Sequence, residues 1–188
     1  MSSKYEWVAI GIAVVSLLVS ISATSFNYLG NKSQEANFIR AVQPHISLVP
    51  QADPSNNGVG FYFYNDGPGV GYIENLIVIN KNGQKFDLSD TSEKSPATAL
   101  ADIIGFNQTC LRMGFPKKGN SLAVDKMEPL IAISTPPIIR TECNEYLSEM
   151  VQYTKNKTYN FQVEMVYRSS YGKKYSYSFP SNVTKELD

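Results

Sequence analysis

The sequence predicts a mainly β protein, in which an N-terminal transmembrane helix precedes an immunoglobulin-like antiparallel β-sandwich with two short helices. Three observations predict this architecture. An uncharged apolar stretch runs from Trp7 to about Leu29. The chain holds 12 Tyr and 9 Phe, residues that suit half-buried sheet surfaces. Short extended runs separated by Gly, Pro and Asn recur through the rest of the chain, and about seven or eight of them read as strands.

The apolar stretch is predicted to be a membrane anchor over residues 1–29. No charged residue lies between Glu6 and Lys32. At a rise of about 1.5 Å per residue, some 20 apolar residues cross a hydrocarbon core of about 30 Å. A cleavable signal peptide is the alternative, because Ala23 is a small residue at a possible cleavage position. The apolar run is longer than the roughly 7–15 residues of a signal peptide's apolar core.

Charge and cysteine content set the expected compartment. The α-amino group and Lys4 lie before the anchor, and Lys32 and Arg40 follow it, so the positive-inside count is nearly balanced. A cytoplasmic C-terminal domain at the inner membrane is favoured over a periplasmic or extracellular one. Cys110 and Cys143 form no CxxC pair, and two free thiols are expected, with a disulfide as the alternative. Lys plus Arg and Asp plus Glu both number 17, which disfavours nucleic acid as a partner.

The first half of the β domain contains its clearest turn signals. A helical stalk over residues 30–43 is expected to stop at Pro44, before strands over 45–50 and 59–64. A turn cluster containing Asn65, Gly67 and Gly69 then leads into a strand over 70–81. Asn82 and Gly83 are typical of a two-residue type I′ turn, which would pair residues 77–81 with 84–88.

The second half is predicted to contain two helices and the last strands. Ser95 and Pro96 can begin a helix that ends before Gly105. Short strands are expected over 122–124 and 130–133. Thr141 can cap a second helix, whose apolar stripe consists of Cys143, Tyr146, Leu147, Met150 and Val151.

A C-terminal hairpin completes the predicted domain. Alternating residues from Tyr159 to Tyr167 and from Tyr175 to Phe179 form its strands, which are joined by a turn over 169–173 that contains Gly172. The β-sandwich is therefore placed at residues 44–182, with a tail over 183–188. The length allows one domain of ordinary size beside the anchor.

Two motifs resemble a family of uncharacterised bacterial membrane-anchored β-sandwich proteins. The first is Asn-Asp-Gly-Pro-Gly-Val-Gly-Tyr-Ile from Asn65 to Ile73, which is similar to the family pattern Asn-x-Gly-x-Gly-Pro-Ala-x-Ile but has Val and Gly in place of Pro and Ala. The second is Tyr-Arg-Ser-Ser-Tyr-Gly from Tyr167 to Gly172, in the last hairpin. The resemblance implies an anchor, a stalk and a sandwich, and it implies no activity.

Three patterns that suggest chemistry have stronger structural interpretations. The glycines at 67, 69 and 71 precede a strand-like run, whereas a phosphate loop requires a following helix. Asp87, Asp90 and Glu93 lack the spacing of a calcium loop. His45 has no nucleophile at a diagnostic spacing. No catalytic, cofactor or metal residue is therefore assigned.

The anchor carries a pattern that is typical of helix association in membranes. Small residues and one amide recur at alternating three- and four-residue steps, and this face consists of Ala9, Ala13, Ser16, Ser20, Ala23 and Asn27. Such a face permits close backbone approach and interhelical hydrogen bonds. A homo-oligomer through the span is one hypothesis, and chance recurrence of small residues is the other.

The composite prediction is a single-pass, non-enzymatic interaction or sensing module of the cell membrane. Its expected partners are the lipid bilayer and a protein whose identity the sequence does not indicate. A structural subunit of a membrane or pilin-like assembly is the first alternative, because pilins also join a long apolar helix to a β domain. An enzyme with an unrecognised site is the second alternative.

Overall fold

The computed structural model describes residues 3–53, 58–89, 96–106, 108–114, 118–134, 141–156 and 158–187. The chain divides into two compact units, Met1–Ala41 and Val42–Asp188. The first unit is helical and the second contains every strand of the described residues. The boundary falls close to the predicted start of the β domain at residue 44.

The described residues form three α-helices, two short 3-10 turns and nine strands. The helices are α1 (Ser3–Ala41), α2 (Pro96–Ile104) and α3 (Asn144–Asn156), and the 3-10 turns are Gln108–Cys110 and Thr141–Cys143. The strands are β1 (Ile46–Gln51), β2 (Val59–Asn65), β3 (Gly71–Asn80), β4 (Lys85–Asp87), β5 (Ser121–Leu122), β6 (Met127–Ile133), β7 (Phe161–Ser169), β8 (Lys174–Phe179) and β9 (Val183–Leu187).

Helix α1 includes both the predicted anchor and most of the predicted stalk. It runs without interruption for 39 residues. By length and composition it is able to cross a membrane, and the apolar side chains described along it, such as Leu17, are exposed within the chain. Such exposure is expected of a helix whose apolar surface contacts lipid or another chain.

The strands form two antiparallel sheets. The smaller sheet has the order β1-β2-β6, and the larger has the order β4-β3-β7-β8-β9, with β5 paired to the start of β3. The mainly β prediction is thus confirmed. The residues expected as a tail form β9, which extends the larger sheet beyond β8.

One apolar core lies between the inner faces of the sheets. Phe61 and Phe63 of the smaller sheet are buried in it together with Tyr167 and Tyr177 of the larger sheet. The Tyr177 hydroxyl accepts a hydrogen bond from the Leu48 backbone N–H at 2.9 Å, so a polar contact joins the two sheets within the core. Burial raises the pKa of Tyr177 above its usual value, because the phenolate would lose its hydration there.

The two predicted helices close the domain. Helix α2 buries Leu100 and Ile104 and ends at Gly105, which has a φ of 81° as helix C-terminal glycines often do. Helix α3 buries Met150 against the core. Its Tyr153 packs edge-on against Phe61 with ring centroids 5.9 Å apart. Both predicted helices are present, and Ser95, the predicted N-cap of α2, lies outside the described residues. The predicted start of α3 is wrong, because Thr141 and Cys143 form a 3-10 turn before the helix begins at Asn144.

The β3–β4 hairpin forms as predicted, but with a different turn. The Gly83 N–H donates to the Asn80 carbonyl, and the Asn80 N–H donates to the Gln84 carbonyl, which makes a three-residue loop. Gly83 has a φ of 80°, whereas Asn82 is not among the residues with positive φ, so the predicted type I′ turn is wrong. The Asn80 side chain explains the longer loop, because its Oδ1 accepts from both the Asn82 and Gln84 N–H groups.

Gly83 gives a direct test of this turn. We expect Gly83→Val to lower the free energy of unfolding by about 1–3 kcal/mol, because a β-branched residue resists positive φ. Gly83→Asn is the matched control, since Asn tolerates the left-handed region and no atom lies within 4 Å of an added Cβ. Thermal unfolding of the full chain in detergent measures both variants. Equal melting temperatures for the Val variant and the parent would contradict the turn assignment.

Candidate functional site

Asn65 is the most highly connected polar side chain among the described residues of the β domain. It is fully buried at the end of β2. Its Oδ1 accepts from the N–H groups of His45 and Gly67, both at 3.2 Å. Its Nδ2 donates to the carbonyls of Gly69 at 2.8 Å and Leu122 at 2.9 Å. The amide thus joins the first residues of the domain, its own turn and β5.

The predicted turn glycines lie against the segment that enters the domain. A Cβ on Gly67 would lie 2.3 Å from the His45 nitrogen, and one on Gly69 would lie 1.7 Å from the Val42 carbonyl oxygen. A Cβ on Gly71 would lie 2.5 Å from the Ile46 side chain. Close backbone approach therefore requires glycine at positions 67 and 69, whereas at position 71 an added Cβ would displace only a side chain. The strand that begins at Gly71 agrees with the structural interpretation of this motif.

The two cysteines are joined, which corrects the expectation of two free thiols. Cys110 and Cys143 form a disulfide with a Cα–Cα distance of 5.5 Å, and it links the 3-10 turn after α2 to the one before α3. Cys143 is nonetheless buried, as predicted for a member of the apolar stripe. Packing of α2 and α3 on the same core brings the two cysteines together. Their separation of 33 residues in the sequence does not indicate this contact.

The other candidates for chemistry do not assemble into a reactive site. His45 Nδ1 lies 2.5 Å from Asp66 Oδ1, and both side chains are about half exposed. Asp87 Oδ1 accepts from the Ser89 N–H and caps the end of β4. Asp90 and Glu93 lie outside the described residues. Within the described part of the chain, no group of three His, Cys, Asp or Glu side chains could hold a metal ion.

The predicted self-association face lies along α1. Ala13, Ser16, Ser20, Ala23 and Asn27 all have exposed side chains, and the side chain of Ala9 is outside the description. The Ser20 hydroxyl donates to the Ser16 carbonyl at 2.8 Å, so its proton is used within the helix. Only its lone pairs remain for a neighbouring helix, and the association of this face stays a prediction.

The outer face of the larger sheet carries a connected set of charges. Glu74 accepts from Lys174 Nζ at 2.8 Å and lies 3.4 Å from Arg168 Nε. The Arg168 guanidinium stacks over the Tyr72 ring, 4.8 Å from its centroid. These pairs are partly exposed, so each contributes about 1 kcal/mol or less to stability. Together they connect side chains on the outer face of three neighbouring strands, β3, β7 and β8.

A pocket of about 230 Å³ opens where the inter-sheet space reaches the β5 and β6 edges. Its apolar surface comes from Phe63, Ile73 and Leu122, all at least 95% buried. The remaining lining residues are Gly114, Asn120, Ser121 and Glu128. Apolar side chains and polar groups thus share the lining, an arrangement that suits a small ligand with one apolar and one polar end. This pocket is the candidate functional site.

Sequence reasoning missed every residue of this pocket as a functional candidate. The sequence predicts Leu122 only as a strand residue and Glu128 only as part of the segment between two strands. The residues become neighbours only through the pairing of β5 with β3 and of β6 with β2. The one local feature that could have drawn attention to the pocket is the charged Glu128, next to Pro129 at the start of an apolar run.

Comparison with known proteins provides no relative from which a role for this site could be inferred. No protein-family model matches the chain, and neither a curated protein nor a solved structure matches it.

Proposed function

We propose that this chain is a single-pass membrane-anchored, non-enzymatic binding module whose β domain lies on the outer side of the cell membrane. The observation that carries the binding role is the open pocket between the two sheets, with its apolar floor and polar rim. The apolar helix α1 supports the anchor. Four residues separate its last residue, Ala41, from β1.

The disulfide supports an orientation opposite to the one expected from the sequence. Structural disulfides persist in oxidising compartments such as the bacterial periplasm or the cell exterior, and they are rare in the cytosol. The expectation of a cytoplasmic domain depended on a nearly balanced charge count and on free thiols. The Cys110–Cys143 bond removes the second of these arguments.

The strand order supports an immunoglobulin-like sandwich. In immunoglobulin domains the first two strands share a sheet with strand E, while strands C, F and G form the other sheet and strand C′ joins C in variable domains. Here β1, β2 and β6 correspond to strands A, B and E, and β4, β3, β7 and β8 correspond to strands C′, C, F and G. β9 is an addition beyond strand G, and the core lacks the tryptophan of antibody domains, since Trp7 is the only one in the chain.

An assembly subunit is the second candidate function. β9 ends the larger sheet, and it exposes Val183 and Leu187 on the outer face. Open strand edges can pair with another chain, but Lys185 lies between these two apolar residues. A lysine at the centre of an edge strand opposes such pairing, so we favour the binding module.

The proposal is tested by fractionation and reporter fusion in a bacterial host. We expect the full chain to remain in the membrane pellet after carbonate extraction, because a spanning helix is not released by high pH. A C-terminal alkaline phosphatase fusion should be active, and a matched fluorescent-protein fusion exported through the same pathway should be dark. Release of a shortened chain into the soluble fraction would instead identify a cleaved signal peptide. Active fluorescence with inactive phosphatase would contradict the outer orientation.

A further inference from the structure

We propose that the pocket binds a primary ammonium group on a short apolar chain, with the Glu128 carboxylate as its acceptor. An alkylamine and a lysine side chain share this chemistry. The inference rests on the proposed binding role of the domain and names the ligand class of that same site. It follows from the position of Glu128, from the apolar floor beneath it, and from the absence of a counter-charge to Glu128 among the described residues.

Glu128 stands on the core-facing side of β6. It pairs directly with Phe63 in the antiparallel register of β2 and β6. Side chains that are directly opposite in such a pair lie on the same face of the sheet, and Phe63 is buried in the core. A carboxylate therefore occupies a position where the alternation of the strand would place an apolar residue.

Protection of an open sheet edge is the ordinary reason for an inward-facing charge. That reason is weak here, because a neighbouring segment already covers much of the free edge of β6. Arg112 and Ala132 exchange backbone hydrogen bonds at 2.6 and 2.8 Å, and the Gly114 N–H donates to the Pro129 carbonyl at 2.9 Å. The acidic residue at the pocket mouth is therefore better explained by what enters the pocket.

The carboxylate is available to a ligand. The Glu128 side chain is exposed, and its carboxylate forms no hydrogen bond or ion pair within the part of the chain that the structure describes. An ammonium group offers three donors, of which Glu128 can accept one or two. The exposed Asn120 and Ser121 at the rim can accept the remainder. An anionic ligand would be repelled by Glu128.

The floor favours a short apolar chain behind the ammonium group. Phe63, Ile73 and Leu122 present only carbon atoms from their side chains to the pocket. A cavity of about 150 Å³ is known to accommodate benzene, so about 230 Å³ is sufficient for a chain of a few carbons. Burial of each methylene group adds to the affinity in proportion to the apolar area removed from water.

The test uses the full chain in detergent and follows the backbone amide resonances of Ser121 and Leu122. The probes are n-butylammonium chloride, n-butanol as the neutral isostere, and sodium butyrate as the anionic one. We expect saturable shifts with butylammonium only. Glu128→Gln should weaken its binding about tenfold, because it removes a charge-assisted hydrogen bond. Glu149→Gln on α3 makes the same charge change at an exposed position and should leave the affinity within about twofold.

A second pair of probes distinguishes the two sources of the ammonium group. Nα-acetyl-lysine N-methylamide and its norleucine analogue present the same chain within a peptide unit. Tighter binding of the lysine amide than of butylammonium would support recognition of a protein side chain, and weaker binding would support a free amine. Either result agrees with the proposed chemistry provided that the norleucine analogue does not bind.

Three results would overturn the ammonium proposal: butanol binding as well as butylammonium, binding unaffected by Glu128→Gln, or no shift with butylammonium up to about 100 mM. These outcomes are separate from failure of the proposed function. Membrane extraction and disulfide formation measure the anchored outer domain, and neither depends on Glu128. A chain that is anchored and oxidised but does not bind amines would retain its proposed location and lose this ligand class.

Discussion

Replacing Asn65 with alanine is expected to lower the free energy of unfolding of the β domain by about 3–5 kcal/mol, a large share of the roughly 5–15 kcal/mol of a typical domain. The fully buried amide satisfies four backbone groups, two as donor and two as acceptor. Each buried group that loses its partner costs about 1–3 kcal/mol, although local rearrangement recovers part of the sum. Denaturant unfolding of the full chain in detergent measures the loss.

Asn80→Ala is the matched control for this prediction. Asn80 Oδ1 also accepts two backbone N–H groups in a turn, those of Asn82 at 2.9 Å and Gln84 at 3.0 Å, but these bonds are exposed. Water can replace the lost acceptor there, so the expected cost is about 1 kcal/mol or less. Similar losses for the two variants would show that Asn65 does not organise the start of the domain.

Removing the disulfide is expected to have an effect of comparable size. Replacing Cys110 and Cys143 together by alanine should destabilise the domain by about 2–5 kcal/mol, because the bond restricts a long loop in the unfolded chain. The loop spans 33 residues and contains β5 and β6, which carry the pocket. The double variant should therefore melt at a lower temperature, and reductant should have no further effect on it.

The parent protein serves as its own control in this experiment. Its melting temperature should fall on reduction to that of the double variant. A parent that melts at one temperature with and without reductant, while its thiols are shown to be oxidised beforehand, would contradict the stabilising role of the bond.

Local patterns were sufficient to predict much of the fold. An extended aromatic run identified β2, which is buried on both faces. The alternation through Phe161 to Tyr167 identified β7, because burial on one face imposes a period of two. Pro96 and Gly105 marked α2 correctly, since each has a conformational role at a helix end. These signals act within a few residues.

Other features depend on contacts that no local pattern contains. β9 contains Lys185 and Glu186, and it becomes a strand because β8 offers an open edge to pair with. The type I′ turn was wrong because the Asn80 side chain competes for the turn N–H groups. The cysteine pair and the position of Glu128 opposite Phe63 both arise from tertiary pairing, which is why the candidate pocket was not predicted.

The thiol state of the chain in intact cells tests the central claim, a disulfide-linked β domain on the outer side of the membrane, most directly. Cells that express the full chain are first treated with a small maleimide, then denatured, reduced, and labelled with a polyethylene-glycol maleimide. The account predicts that two polymer chains are added only after reduction, to Cys110 and Cys143, the two cysteines of the sequence. Blocking of both thiols by the first maleimide, with no polymer added after reduction, would contradict it.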